Sequence, residues 1–165
     1  MTKTEDRIEG RRAAPVGPTL LAPEPLSQNV SRRLSVTRGR DTAPELAVRS
    51  ALHARGLRYR VDVAVLAGSR RRADVLFTRA RVAVFIDGCF WHGCPEHATW
   101  PRHNARFWRT KIETNRARDR DTDQRLERGG WTVIRAWEHE KSEAVADRVE
   151  LAVRDAGLAE ERRRG

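Results

Sequence analysis

Only two cysteines, Cys89 and Cys94, occur in the 165 residues, too few to staple a small fold with disulfides. No run of about eighteen apolar residues is present to span a bilayer. The N-terminus lacks a positively charged stretch leading into an apolar segment, so no secretory leader is expected. Acids are scarce beside bases: 23 Asp and Glu stand against 33 Lys and Arg, a formal net charge of +10. What remains is 39% hydrophobic and 34% charged, a composition that suits one domain with a modest core under a heavily charged surface. The excess of base points to a polyanionic partner, nucleic acid first and an anionic membrane surface second. These bounds describe a basic, cytoplasmic, single-domain protein with no membrane segment.

Residues 1–30 are polar and then Pro-rich, with Pro15, Pro18, Pro23 and Pro25 close together, and they read as a flexible basic arm. Residues 31–157 form the body, and 158–165 a charged tail expected to fray. In the body, Thr42-Ala43-Pro44-Glu45 reads as a capping box with proline in the first turn. Leu46, Ala47, Ala51 and Ala54 then propose a helical face, and Gly56 the stop. From Leu57 the apolar period becomes two, through Tyr59, Val61 and Val63, which predicts a half-buried strand. A second strand is expected over Ala73–Thr78. The unbroken apolar run Val82–Ile86 predicts a third, covered on both faces. After a loop from Gly88 to about His103 come a long helix to Arg128, a strand from Trp131 to Trp137 and a helix from Ser142 to about Gly157. The order α-β-β-β-α-β-α predicts an α/β sandwich of mixed sheet and flanking helices.

Two constellations carry chemistry. Cys89, Cys94, His97 and, beyond the last strand, His139 make a ligand set that suits tetrahedral zinc. Those residues could equally be loop thiols and surface imidazoles that merely lie near one another, but a loop this long and this polar needs something to hold it. With four protein ligands such a zinc is structural. The second set begins at Asp74, an acid inside a strand, where propensity and desolvation both oppose it. Asp74 could simply pair with one of Arg70, Arg71 and Arg72. Alternatively it could converge with the strand end at Ile86-Asp87, and with Glu45 from the first helix, on Mg²⁺, which prefers hard oxygen ligands. His92 could then activate water as a general base, and the chemistry available is phosphodiester hydrolysis.

Asp87-Gly88-Cys89-Phe90-Trp91-His92-Gly93-Cys94-Pro95 resembles the very-short-patch repair (Vsr) DNA mismatch endonucleases. The likeness extends to Arg38–Glu45, Arg72-Ala73-Asp74, Phe107–Ile112, Asn115–Arg120 and the stretch from Gly130-Trp131 through Trp137-Glu138-His139, roughly Ser31 to Glu140. Several ordered motifs are far more specific than any one alone. The resemblance implies a restriction-endonuclease-like core, α-β-β-β-α-β, and strand-specific nicking 5′ of the thymine in T:G mismatches left by deamination of 5-methylcytosine. By the same resemblance Asp74 and the Ile86 backbone carbonyl hold Mg²⁺, and His92 is catalytic. Asp119 orients that histidine, and Glu45 reaches a water of the metal. Cys89, Cys94, His97 and His139 are the zinc ligands by the same likeness. This chain departs from some relatives at Asp87, where they carry histidine, and at His139, where they carry cysteine. Asp87 is left open as a metal ligand, a turn former or neither.

Phe90, Trp91 and Trp108 match aromatic residues that family members push into the base stack beside the mismatch. Packing around the zinc is the plainer reading for the first two. Trp108 shares helical spacing with Lys111, Asn115 and Asp119, so Lys111 and Asn115 are candidates to hydrogen bond the mismatched pair. Leu34 matches an apolar residue inserted from the minor-groove side. Arg32, Arg33, Arg38, Arg40 and Arg70–Arg72 are candidates for phosphate contact, or else ordinary solvated surface. The expected partner is duplex DNA with a T:G mismatch, acted on by a monomer, in functional pairing with a DNA cytosine methyltransferase and mismatch-repair proteins. Two other readings stay open: a nuclease of the same fold for another lesion or site, and a non-catalytic zinc-stabilised DNA-binding module.

Overall fold

The computed structural model describes residues 40–164. The expected N-terminal arm, Leu34 and the arginines Arg32, Arg33 and Arg38 lie outside the described residues. Helix α1 spans Ala43–Ala54, strand β1 Arg60–Ala64, β2 Arg72–Phe77 and β3 Val82–Asp87. Helix α2 then runs over Ala105–Arg128, strand β4 over Thr132–Trp137 and helix α3 over Ser142–Arg164. The expected element order is the observed one. The four strands lie in the order β1-β2-β3-β4, with β1–β2 and β2–β3 antiparallel and β3–β4 parallel. A parallel pair needs a crossover, and α2 supplies it.

Apolar side chains form a core on each face of this sheet. Val82 and Val84 point to one, with Val48 and Leu52 of α1 and Val145 and Val149 of α3. Ala83 and Phe85 point to the other, beneath Leu126 of α2. Burial on both faces is what the unbroken apolar run of β3 requires.

Four local expectations change. The buried face of α1 is Glu45, Val48, Arg49, Ala51 and Leu52, whereas Leu46 is 51% exposed and Ala47 and Ala54 also face outward. The apolar stripe is displaced because a charged i,i+4 pair, Glu45 and Arg49, shares the inner face, in contact at 2.8 Å. The capping box is also rearranged. Glu45 accepts from the Asp41 backbone N–H and from the Thr42 hydroxyl, both at 2.9 Å, while Thr42 caps no backbone N–H. In β1 the period of two does not become an alternation of burial. It is an edge strand, half-buried along its middle, and Asp62 sits at φ 51° with its carboxylate on Arg72. Finally, α3 continues past Gly157. A glycine inside a helix costs only about 1 kcal/mol, and the Leu158-Ala159-Glu160-Glu161 that follows is made of strong helix formers.

Candidate active site

The loop after β3 and the turn after β4 meet because of the parallel register. Asp87 is paired with Trp137, so the residues just beyond the two strand ends, Cys89 and His139, emerge side by side. Glu138 fastens them, its carboxylate accepting from the Cys89 N–H at 2.6 Å and its N–H donating to the Asp87 carbonyl at 3.0 Å. Within the loop, Cys94 N–H to Cys89 O and Ala98 N–H to Cys94 O wind the chain so that Cys94 and His97 return to the same point. Sγ of Cys89 lies 3.1 Å from Nδ1 of His139, and Sγ of Cys94 lies 3.8 Å from Nδ1 of His97 and 3.9 Å from that of His139. All four ligand atoms fall within 4.8 Å of one another. Tetrahedral zinc with bonds of about 2.0–2.3 Å asks for ligand separations of roughly 3.3–3.8 Å, so the donor set fits. Burial and the adjoining Cys94 push the Cys89 thiol up to about 11. A metal bound there would take Cys89 as the thiolate, so metal and proton would compete for that sulfur.

A second group gathers at the same end of β3. Asp74 reaches across from β2 and accepts the Ile86 N–H at 2.7 Å. Burial pushes its carboxyl up to about 6, and the charges of Glu45 and Asp87 add to that against the opposing Ile86 N–H and Arg49. Three carboxylates from α1, β2 and β3 thus crowd one region. With Asp87 paired to Arg135 and Glu45 to Arg49, Asp74 is the carboxylate of the three that could offer a hard oxygen to a divalent cation. Glu45 stays fastened within the start of α1 by Arg49, Thr42 and the Asp41 N–H.

His92 of the loop places Nδ1 2.6 Å from Oδ2 of Asp119 on α2 and 3.5 Å from Oδ1 of Asp87. Burial pulls the imidazole pKa down, but the Asp119 hydrogen bond and the charges of Asp87 and Asp119 outweigh it and leave it raised. Asp119 is lowered although burial opposes this, because His92 bonds to it and the charges of His92 and Arg135 favour the carboxylate. The pair is therefore a charge-assisted contact, with Nδ1 committed and Nε2 left for chemistry.

The remaining expected residues separate into two kinds. Phe90, Trp91 and Trp108 form one aromatic cluster, with ring centroids 5.1, 5.3 and 6.0 Å apart and all three half-buried. Lys111 is exposed on α2. Asn115 is buried, and its amide is taken up by the protein: Nδ2 donates to the Trp91 carbonyl at 2.9 Å, and Oδ1 accepts from Arg118 at 2.8 Å. Lys111 and Asn115 accordingly do not share one open face. Of the arginine run, Arg71 pairs with Asp121 and Arg72 with Asp62, while Arg70 is exposed; Arg40 also approaches Asp62 at 3.5 Å.

One residue near the centre was not among the candidates. Arg135 in β4 donates to both oxygens of Asp87 at 2.9 and 2.8 Å and to Asp123 at 2.9 Å, so Asp87 is held in a bidentate ion pair. The signal was present. An arginine inside Val133-Ile134-Arg135-Ala136-Trp137 is as costly in a strand as the aspartate that singled out Asp74.

A mixed sheet with acids and a histidine–aspartate pair at one strand end, on a strongly basic chain, is the equipment of an endonuclease. A family model described as DNA mismatch endonuclease Vsr matches residues 27–97. The type II nicking enzyme V.NaeI of Lentzea aerocolonigenes is 46% identical over 127 residues, which cover 75% of this chain and 76% of that protein. Type II nicking enzyme V.NmeDIP of Neisseria meningitidis serogroup C is 38% identical over 123 residues, 72% of this chain and 81% of that one. The DNA mismatch endonuclease Vsr of Escherichia coli K12 is 36% identical over 131 residues, 73% and 80%. The chain belongs to the Vsr endonuclease family.

Proposed function

We propose that this endonuclease nicks duplex DNA on the 5′ side of the thymine in T:G mismatches, the lesion left by deamination of 5-methylcytosine. The observation that carries the reading is the His92–Asp119 pair, on a loop that also bears the aromatic residues Phe90 and Trp91 and adjoins Asp74. Chemistry and a device for entering the base stack thus share one short segment. The Escherichia coli relative's name carries the mismatch activity, and the other two are named as nicking enzymes.

Asp74 and the Ile86 carbonyl would hold Mg²⁺, which supplies polarisation of the phosphodiester and stabilises the charge gathering on the leaving 3′ oxygen. Asp119 fixes the His92 tautomer, so Nε2 takes the proton of the attacking water. Glu45 adds negative charge beside Asp74 from α1. Phe90, Trp91 and Trp108 unstack the step at the mismatch, where opening costs less than in paired duplex, and exposed Lys111 is the donor on that side of α2. Leu34 would enter from the minor groove. Cys89, Cys94, His97 and His139 would hold a structural zinc that keeps the loop in place. Within a restriction-endonuclease-like core this describes a monomer acting on DNA inside the cell, in step with a cytosine methyltransferase and mismatch repair.

End-labelled duplexes carrying T:G or T:A at one position, in varied flanking sequence, test this with Mg²⁺ and the purified protein. A nick beside the thymine of T:G alone is the expected result. Retained DNA binding with no cut in any context overturns it.

A further inference from the structure

Asp87, His92 and Asp119 each turn one ligand atom into a space where all three lie within 4.8 Å of one another, a geometry able to hold a metal ion. That space is already supplied with a cation by the protein itself. The Arg135 guanidinium grips Asp87 through both carboxylate oxygens, at 2.9 and 2.8 Å, and lies 3.7 Å from Oδ1 of Asp119. Its own orientation is overdetermined. Nε is anchored on Asp123 at 2.9 Å, and the guanidinium carbon stands 4.7 Å over the Phe85 ring. A guanidinium does not lose its proton in proteins, so this positive charge is permanent.

The consequence appears at His92. Two carboxylates flank its Nδ1, yet only Asp119, at 2.6 Å, is within hydrogen-bonding distance, while Asp87 stands off at 3.5 Å. Bonds to nitrogen at 2.7–3.2 Å are the ordinary range, and 3.5 Å is not one. Asp87 is buried and its pKa is raised by that burial. Without a partner it would need another cation, and those within reach are the imidazole and any divalent ion.

We propose that Arg135 is a positioning residue of this nuclease site, a built-in cation that holds Asp87 away from His92 and denies the Asp87–His92–Asp119 space to a second divalent ion. His92 thereby keeps Asp119 as its single partner, and metal is confined to the Asp74 side. The proposal rests on the assignment of His92 and Asp74 made above, and its test can fail independently of that assignment.

The test uses the zinc-loaded full chain as wild type, Arg135→Met, Arg135→Lys, Asp87→Asn and the Arg135→Met/Asp87→Asn double variant. Mn²⁺ binding is counted by electron paramagnetic resonance of the free ion. Arg135→Met should bind one Mn²⁺ more than wild type, whatever the wild-type count, and the double variant should return to that count because the added ligand is gone. In nicking assays Arg135→Met should lose about 100-fold in kcat with KM little changed, the scale of a displaced general base. The double variant should recover most of that loss, and Arg135→Lys should fall between. An unchanged Mn²⁺ count in a folded Arg135→Met protein overturns the proposal. So does a double variant that is folded, with wild-type metal count, and as slow as Arg135→Met. Should Arg135→Met not fold, Arg135→Lys and the double variant carry the same comparison, and equal kcat in wild type and Arg135→Lys overturns it. Absence of nicking by wild type on every mismatch would instead count against the T:G assignment, and leaves the Mn²⁺ comparison standing.

Discussion

Asp74 and His92 lie in similar surroundings and are shifted for opposite reasons. Burial dominates at Asp74 and raises it to about 6, with Glu45 and Asp87 adding to the rise. At neutral pH it is still mostly a carboxylate, ready for a cation. Asp74→Ala should abolish nicking while leaving DNA affinity nearly unchanged, measured by cleavage and by fluorescence anisotropy on the same duplex; equal loss of both would remove its assigned role. At His92 burial is outweighed by Asp119 and Asp87. A raised imidazole stabilises the fold fully below its ordinary value of 6.5 and loses that contribution as pH climbs through the raised one. Asp119, lowered from 3.8, contributes above that value and loses its share as pH falls through the lowered one. The tie between loop and α2 is therefore tightest between those limits. Asp119→Asn should bring the His92 pKa down, read from its imidazole proton shifts against pH, and an unmoved midpoint would show that the 2.6 Å contact does not form in solution.

The element that organises the site is the loop between β3 and α2. It has no regular structure of its own and is held by the Cys/His cluster, by Glu138 on the Cys89 N–H, by the His92–Asp119 pair, by the Asn115 amide on the Trp91 carbonyl and by Arg116 on the Gly93 carbonyl at 2.9 Å. Zinc binding by such a set is folding free energy for the segment it closes. Cys89→Ala should lose the metal, measured by atomic absorption, and lower the melting temperature; a variant that keeps both would end the structural assignment. Gly93 presses closer still. It sits at φ 64°, and a Cβ there would lie 2.8 Å from Cγ2 of buried Ile112. Gly93→Ala should cost about 1–3 kcal/mol from strain and overpacking together, measured by urea unfolding. A cost near zero would mean that the loop does not pack on α2 as described.

At the scale of the whole molecule the charge is unevenly spent. Many acids are engaged within the fold, Asp62 with Arg72, Asp121 with Arg71, and Glu143 and Asp147 with Arg55. The surplus of +10 is left to act on a polyanion. For about six phosphate contacts the slope of log K against log salt is about −5. Equilibrium binding to duplex DNA over a salt series should show a steep negative slope, and a flat one would mean that the basic surface is not the DNA-binding face. Among the described residues no helix is long and apolar enough to cross a membrane.

Order and type of the elements were legible in the sequence because periodicity, capping residues and glycine stops act between near neighbours. The Cys89, Cys94 and His97 spacing was legible for the same reason, and so was the acid misplaced in β2. The inner face of α1 was not, since Arg49 looks like a surface charge until it is seen paired with Glu45 on the buried side. Nor was Asn115 as a brace of the loop, because its partner is a backbone carbonyl 24 positions away. The role of Asp87 depended on Arg135, 48 positions on, and on a parallel register that sets their strands side by side. Burial turns such pairs from optional into obligatory, and burial is a property of the packed sheet and helices, not of any segment read alone.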